Sequence, residues 1–207
     1  MIKEIVISGP DARNVVTSAV TLAAAGRIDH GYAALIAPGV GAAPTETVRC
    51  WVVISSSPIP TPTTVQPDIA VAMDHRAAVS CWRLLKPKGC LFFNSETPIA
   101  LTRRGLCRVA CLNCRRIAAE LGAPELAFLV MLAGMAKHTE LVTGSTLRKA
   151  YRRKFSRLGN DELQLRDLAL EKGFTEGDLA FYGHPADADA EPTSTSSTVR
   201  KPFPVAL

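Results

Sequence analysis

Aromatic residues are scarce in this sequence. Seven Phe, three Tyr and two Trp make up 6% of 207 positions. A core drawn from it must be mostly Ala, Val, Leu and Ile, which suits helices interdigitated over a sheet. A long apolar run is also missing. The most apolar segment, Leu126 to Ala136, is about half of the roughly 20 residues that cross a bilayer, so no membrane span is expected. The opening residues show no basic stretch leading into a long apolar one, so no secretory signal is expected and the chain reads as cytoplasmic. In that compartment its six cysteines read as thiols or metal ligands, not as disulfides. No internal repeat is visible, and no Ser/His/Asp or Cys/His arrangement can be identified from spacing. The formal charge of +5 is mild. A basic cluster from Arg148 to Arg157 supplies much of it. No RNA-binding signature or aromatic platform accompanies that cluster, so it reads as a solvated helix face and no nucleic-acid partner is expected.

What is present begins with Lys3 to Ala25. Glu4-Ile5-Val6-Ile7-Ser8 is a β-branched run that breaks at Gly9-Pro10-Asp11. From Asn14 onward Val15, Val16, Ala19, Val20, Leu22 and Ala23 recur at helical spacing. Strand, turn and helix in that order form the first unit of a parallel α/β sheet. The turn is where such a fold places a phosphate, because the helix offers free N–H groups and the positive end of its dipole. Nucleotide-binding turns use several glycines for close backbone approach. This turn reads Gly9, Pro10, Asp11, Ala12, Arg13 and Asn14. Asp11 brings negative charge to the place of a phosphate, and Arg13 offsets it in part. These six residues are the candidate cofactor-binding turn.

Further along, strands are expected at Tyr32 to Ala37, Val48 to Ser55, Ile69 to Met73 and Cys90 to Asn94, with a short one at Leu106 to Val109. Pro38 to Pro44 reads as a glycine-bearing loop. Ser56 to Pro67, with Pro58, Pro60, Pro62 and Pro67, reads as a stiff, irregular connector suited to an interface. Helices are expected at Arg76 to Leu85, Asn113 to Leu121, Glu125 to His138, Gly144 to Arg157 with Ser145 as cap, and Asn160 to Gly173. The third of these is apolar nearly all round and should be buried. Alternating strands and helices imply an α/β fold. It has a mostly parallel, Rossmann-like sheet with flanking helices and a C-terminal helical extension from about residue 144. Residues 1–184 form that domain, and 185–207, rich in Pro, Thr, Ser and Asp, form an extended or disordered tail.

Four stretches, in this order and spacing, resemble the gamma subunit or gamma domain of 2-oxoacid:ferredoxin oxidoreductases. They are Ile5 to Val16; Val52-Val53-Ile54-Ser55-Ser56-Ser57-Pro58-Ile59; Pro67 to Asp74 with Leu85 to Ser95; and Ile117 to Gly122 with Met131-Leu132-Ala133-Gly134-Met135. The likeness covers about residues 3 to 175. It implies a subunit of an enzyme that oxidatively decarboxylates a 2-oxoacid, usually to an acyl-CoA. Thiamine diphosphate, magnesium and [4Fe–4S] clusters would then lie on partner subunits, and ferredoxin or a related carrier would accept the electrons. The gamma piece would shape access to the active site and could contact coenzyme A, without catalysing anything alone. Family members usually carry a Gly-x-Gly-Gly-x-Gly-type turn where this chain has Gly9 to Asn14, and a Gly-Gly segment where it has Gly39 to Thr47. Both departures suggest a drift toward scaffolding, or service in an enzyme with an unusual substrate or acceptor.

Two alternatives stand beside this reading. One is a stand-alone module that binds coenzyme A or a nucleotide at the Ile7 to Asn14 turn. The other is a small iron–sulfur protein using Cys107, Cys111 and Cys114, with Cys81 or Cys90 as a fourth ligand. The plainer reading of those thiols is a strand entering a helix, with cysteines as small hydrophobes. Asp74-His75 closes a central strand where α/β sheets bind ligands, so His75 is a candidate base or phosphate contact; the plainer reading is a helix cap. His30, His138 and His184 read as surface residues. Arg103-Arg104 and Arg115-Arg116 read as solvated or inter-subunit cations.

Overall fold

The computed structural model describes residues 1–37, 47–61, 66–97, 107–175 and 180–182. The 38–46 loop, Pro62, Arg103-Arg104, His184 and the tail from 185 lie outside the described residues.

β-Branched and aromatic runs become strands, and among the described residues the strands join one seven-stranded sheet. In chain order they are β1 (Ile2–Gly9), β2 (Tyr32–Ile36), β3 (Val48–Ser55), β4 (Ile69–Ala72), β5 (Cys90–Asn94), β6 (Arg108–Leu112) and β7 (Ala180–Tyr182). Their spatial order is β2-β3-β1-β4-β5-β6-β7. The β1–β4, β4–β5 and β5–β6 ladders are parallel. The β1–β3, β2–β3 and β6–β7 ladders are antiparallel. Strands β1, β2, β4, β5 and β6 therefore point one way, and the carboxyl ends of the central four form a single crest. The sequence pattern did not announce that β3 would run backwards between β1 and β2. A strand buried on both faces reads the same in either direction.

Among the described residues six α-helices flank the sheet: α1 (Ala12–His30), α2 (His75–Trp82), α3 (Cys114–Glu120), α4 (Ala127–Thr139), α5 (Gly144–Lys154) and α6 (Asn160–Thr175). Helix α1 buries Val15, Ser18, Ala19, Leu22, Ala25 and Gly26, the spacing of one helical face. It stops at Gly31, whose φ of +95° suits glycine. Helix α4 is buried at every position from Ala127 to Ala136. It lies under α6, where a side chain on Gly173 would overlap the Val130 carbonyl. Leu147, Ala150 and Tyr151 of α5 and Ala169 and Leu170 of α6 share one core with Ile5, Val52, Phe92 and α1. The helical extension is thus continuous with the sheet domain. A second core on the opposite face joins Val6, Ala70, Leu91, Phe93, Val109 and Cys111 to Ala77, Ala78, Cys81 and Trp82 of α2.

Several boundaries differ from expectation. Strand β6 begins at Arg108 and ends at Leu112 rather than running from Leu106 to Val109. Helix α2 closes at Trp82, and Leu84 turns back to donate to the Cys81 carbonyl at 3.0 Å. The cap of α5 is Thr143, not Ser145: its hydroxyl accepts from the Thr146 N–H at 3.2 Å. Among the described residues no helix is long and apolar enough to cross a membrane.

Candidate functional site

The crest gathers the features that α/β folds use for ligands. Helices α1, α2 and α3 all start there, each directly after a central strand. At the first turn Gly9 ends β1. A Cβ on it would stand 3.0 Å from Phe128 Cζ and 3.2 Å from Met73 Cβ. Its small size therefore serves packing beneath α4. Pro10 contributes no N–H. Asp11 caps α1: its carboxylate accepts from the Asn14 backbone N–H at 3.1 Å and from the Asn14 Nδ2 at 3.0 Å. The position an anion would take at this helix start is filled by a carboxylate of the chain itself. Ala12 opens the helix and Arg13 is exposed beside it. Arg13 also lies near Tyr151: burial pushes that phenol above its ordinary value, while Arg166 and Arg13 oppose the rise.

The second and third helix starts repeat this arrangement. The Asp74 carboxylate accepts from the Ala77 N–H at 2.7 Å. Asp74 is thus the cap, and His75 is an exposed first helical residue. The Asn113 side-chain oxygen accepts from the Arg116 N–H at 3.1 Å, and its amide donates to Glu96. Asn94, buried at the end of β5, ties the three elements together. It donates to the Met73 carbonyl at 3.4 Å and accepts from the Arg115 N–H at 3.3 Å. The sequence pattern marks Asn94 as a strand end and Asn113 as a helix start without giving either a contact, and it does not single out Glu96. Arg115 is exposed, and Arg116 pairs with Glu120 at 2.7 Å on its own helix.

The cysteine triplet does not converge. Cys107 and Cys111 belong to the core beneath α2, whereas Cys114 belongs to the core of the opposite face. Cys81 lies with the first pair and Cys90 with Cys114. All six thiols are buried and unpaired. Burial pushes Cys50, Cys81 and Cys111 up to about 11 and Cys90 up to about 12, with Cys114 also raised. Among the described residues no three His, Cys, Asp or Glu side chains are placed to hold a metal. His30 is no free surface residue: its Nε2 donates to the Leu141 carbonyl at 2.6 Å, tying the end of α1 to the turn after α4. His138 is exposed. A hollow of about 250 Å³ lined by Arg27, Gly31, Tyr32, Ala33, Ala34 and Ile59 lies beside β2. That is the opposite end of the sheet from the crest, because Tyr32 shares a row with Ser55 and Ile2.

Solved structures share this fold. The gamma subunit of a keto/oxoacid ferredoxin oxidoreductase from Geobacter sulfurreducens superposes with a TM-score of 0.70 at 23% identity, covering 84% of this chain and 98% of that one. A pyruvate oxidoreductase subunit from Thermotoga maritima gives 0.69 at 19% identity, covering 87% and 98%. The 2-oxoglutarate:ferredoxin oxidoreductase of Magnetococcus marinus, solved with 2-oxoglutarate, coenzyme A and succinyl-CoA, gives 0.68 at 16% identity; the match covers 84% of this chain and 30% of that longer one. At such identities these likenesses establish the fold. No curated protein matches by sequence. The family described as pyruvate ferredoxin/flavodoxin oxidoreductase does match, over residues 4–175, from β1 through α6. Strands β1 to β6, the crest and the helical extension thus fall within one family match, with β7 beyond it, and the chain belongs to the pyruvate ferredoxin/flavodoxin oxidoreductase family.

Proposed function

We propose that this chain is the gamma subunit of a multi-subunit 2-oxoacid:ferredoxin oxidoreductase, and that it shapes the enzyme without performing chemistry. The carrying observation is the Asp11 carboxylate seated on the start of α1, in a family whose members oxidise 2-oxoacids. A turn plugged by its own acid, with Pro10 beside it, is poorly suited to cradle a phosphate. It is well suited to be a fixed surface. The exposed residues Pro10, Asp11, Ala12 and Arg13, with Gly9 and Asn14 holding them, are on this reading a contact with neighbouring subunits. Arg13 is then the cation in that turn toward which a coenzyme A phosphate could come. Thiamine diphosphate, its magnesium and the iron–sulfur clusters would be held by the partner subunits. Electrons would leave through them to ferredoxin or a related carrier. A cytoplasmic location belongs to the same reading, since six unpaired thiols suit a reducing compartment.

The test is to recover the full chain by affinity tag from its native host and to record the mass, colour and thiamine content of the eluate. Co-purified larger subunits, a brown colour and bound thiamine are expected. A colourless monomer that binds coenzyme A on titration would replace this reading with that of a stand-alone binding module.

A further inference from the structure

Helix α5 carries a charge imbalance that its packing does not use. Arg148, Lys149, Arg152, Arg153 and Lys154 lie on it without a single carboxylate. Thr146, Leu147, Ala150 and Tyr151 form its buried face, which leaves the cations outside. Arg148 and Arg152, one turn apart, both pair with Asp167 of α6, whose side chain is 14% exposed. Lys149 and Arg153 form the neighbouring row, also one turn apart and exposed; Arg157 follows, exposed, in the turn beyond the helix. Among the described residues none of these three has an ion-pair partner.

Like charges four apart on a helix repel each other. The helix dipole favours cations in the last turn, which accounts for Arg152, Arg153 and Lys154, but its effect fades before Lys149. The mounting is rigid. Asp29 of α1 accepts from the Thr143 N–H at 2.8 Å and from the Thr146 hydroxyl at 2.6 Å, and Tyr151 stacks on Phe155 with centroids 4.5 Å apart. A fixed helix loses little freedom when a partner docks on it.

We infer that Lys149, Arg153 and Arg157 form an electrostatic docking strip for an acidic protein surface on another subunit of the oxidoreductase. The inference rests on the gamma-subunit reading above. Four residues of helix rise about 6 Å, so Lys149 and Arg153 match carboxylates four apart on an acidic partner helix. Nucleic acid is served less well. The aromatic rings of α5 and its following turn are Tyr151, which is buried, and Phe155, which is half-buried, so no free ring is offered for base stacking.

The test uses the complex purified from its native host through a tag on the full chain. A carbodiimide joins amines to carboxylates already in contact, and mass spectrometry maps the joined peptides. Lys149 is expected to be joined to an Asp or Glu of an identified oxidoreductase subunit. The reversal K149E/R153E/R157E is expected to keep its thermal midpoint yet associate roughly tenfold more weakly at low salt; the neutral K149Q/R153Q/R157Q variant should fall between and confirm folding. Undiminished retention of the folded reversal variant with those subunits overturns the strip. So does a Lys149 crosslink to the chain's own residues 183–207, or nucleic acid in the wild-type eluate that the variant loses. A wild-type eluate without oxidoreductase subunits overturns the gamma-subunit reading itself, and this is seen before any variant is compared.

Discussion

The two faces of the sheet are covered unequally. On one face α1, α3, α4, α5 and α6 pack over Ile5, Val52, Phe92 and Leu112. On the other, α2 is the one helix among the described residues that packs over Val6, Leu91, Phe93 and Val109. Both faces are apolar, so hydrophobicity does not set the difference. Close approach does. Gly9, Gly26, Gly134 and Gly173 all sit where an added Cβ would press on the thick side. A thick layer fixes side chains in one arrangement, whereas a face under one short helix has more room to relax.

The sharpest test of this contrast uses neighbours. Phe92 and Phe93 are consecutive and point to opposite faces. Phe92→Ala is expected to cost about 5 kcal/mol and Phe93→Ala about 3 kcal/mol, since a cavity costs less where its walls can collapse. Equal losses in urea unfolding would show the thin face to be packed as firmly as the thick one. Next in size is Gly173→Val, which forces a side chain into the Val130 carbonyl and Ala133. It should cost about 3 kcal/mol by the same measurement. A loss below 1 kcal/mol would mean that α4 and α6 can separate freely.

The buried thiols probe both faces through pH. Burial pushes Cys50, Cys81 and Cys111 up to about 11 and Cys90 up to about 12, above the roughly 8.5 of an unfolded cysteine. A raised value holds the protonated form in the native state. The stabilising contribution is therefore whole below about pH 8.5 and is lost as pH climbs toward 11, by about 1 kcal/mol per thiol per pH unit at first. Denaturant midpoints should fall steeply between pH 8 and 10. Thiol-reagent labelling should reach Cys81 and Cys111 on the thin face before Cys114. Labelling of Cys114 first would reverse the contrast. The smallest effect belongs to the caps. Asp11→Ala, serving the thick face, and Asp74→Ala, serving the thin one, should each cost about 1 kcal/mol. A cap worth nothing at Asp74 would mean that α2 is held by its apolar contacts alone.

Much of the fold was legible. The bounds of β3 and β5 match the β-branched and aromatic runs at Val48 to Ser55 and Cys90 to Asn94. The all-round burial of α4 follows from its composition. Strand β6 was misplaced because Ala110, Cys111 and Leu112 have weak β preference, and pairing with β5 carries the strand through them. Two hydroxyls flank Gly144, and only backbone geometry selects Thr143 over Ser145. At the site, the positions of the turn were readable and so was the acid in it. The role of Gly9 was not, because Phe128 reaches it from more than a hundred residues away. The bond from His30 to Leu141 and the separation of Cys114 from Cys107 and Cys111 are likewise products of long-range packing.

Helix α4 has a consequence for the chain's birth. It is greasy on every side, yet the lid over its outer side, α6, is made later. At roughly 5–20 residues per second, about two to seven seconds separate the completion of α4 at Thr139 from that of α6 at Thr175. Throughout that interval the outer flank of α4 lacks its cover, and an uncovered apolar flank on an incomplete chain is the kind of surface that aggregates. Substitutions in α6 would therefore show first as poor yield and inclusion bodies, before any change in the melting of the finished protein.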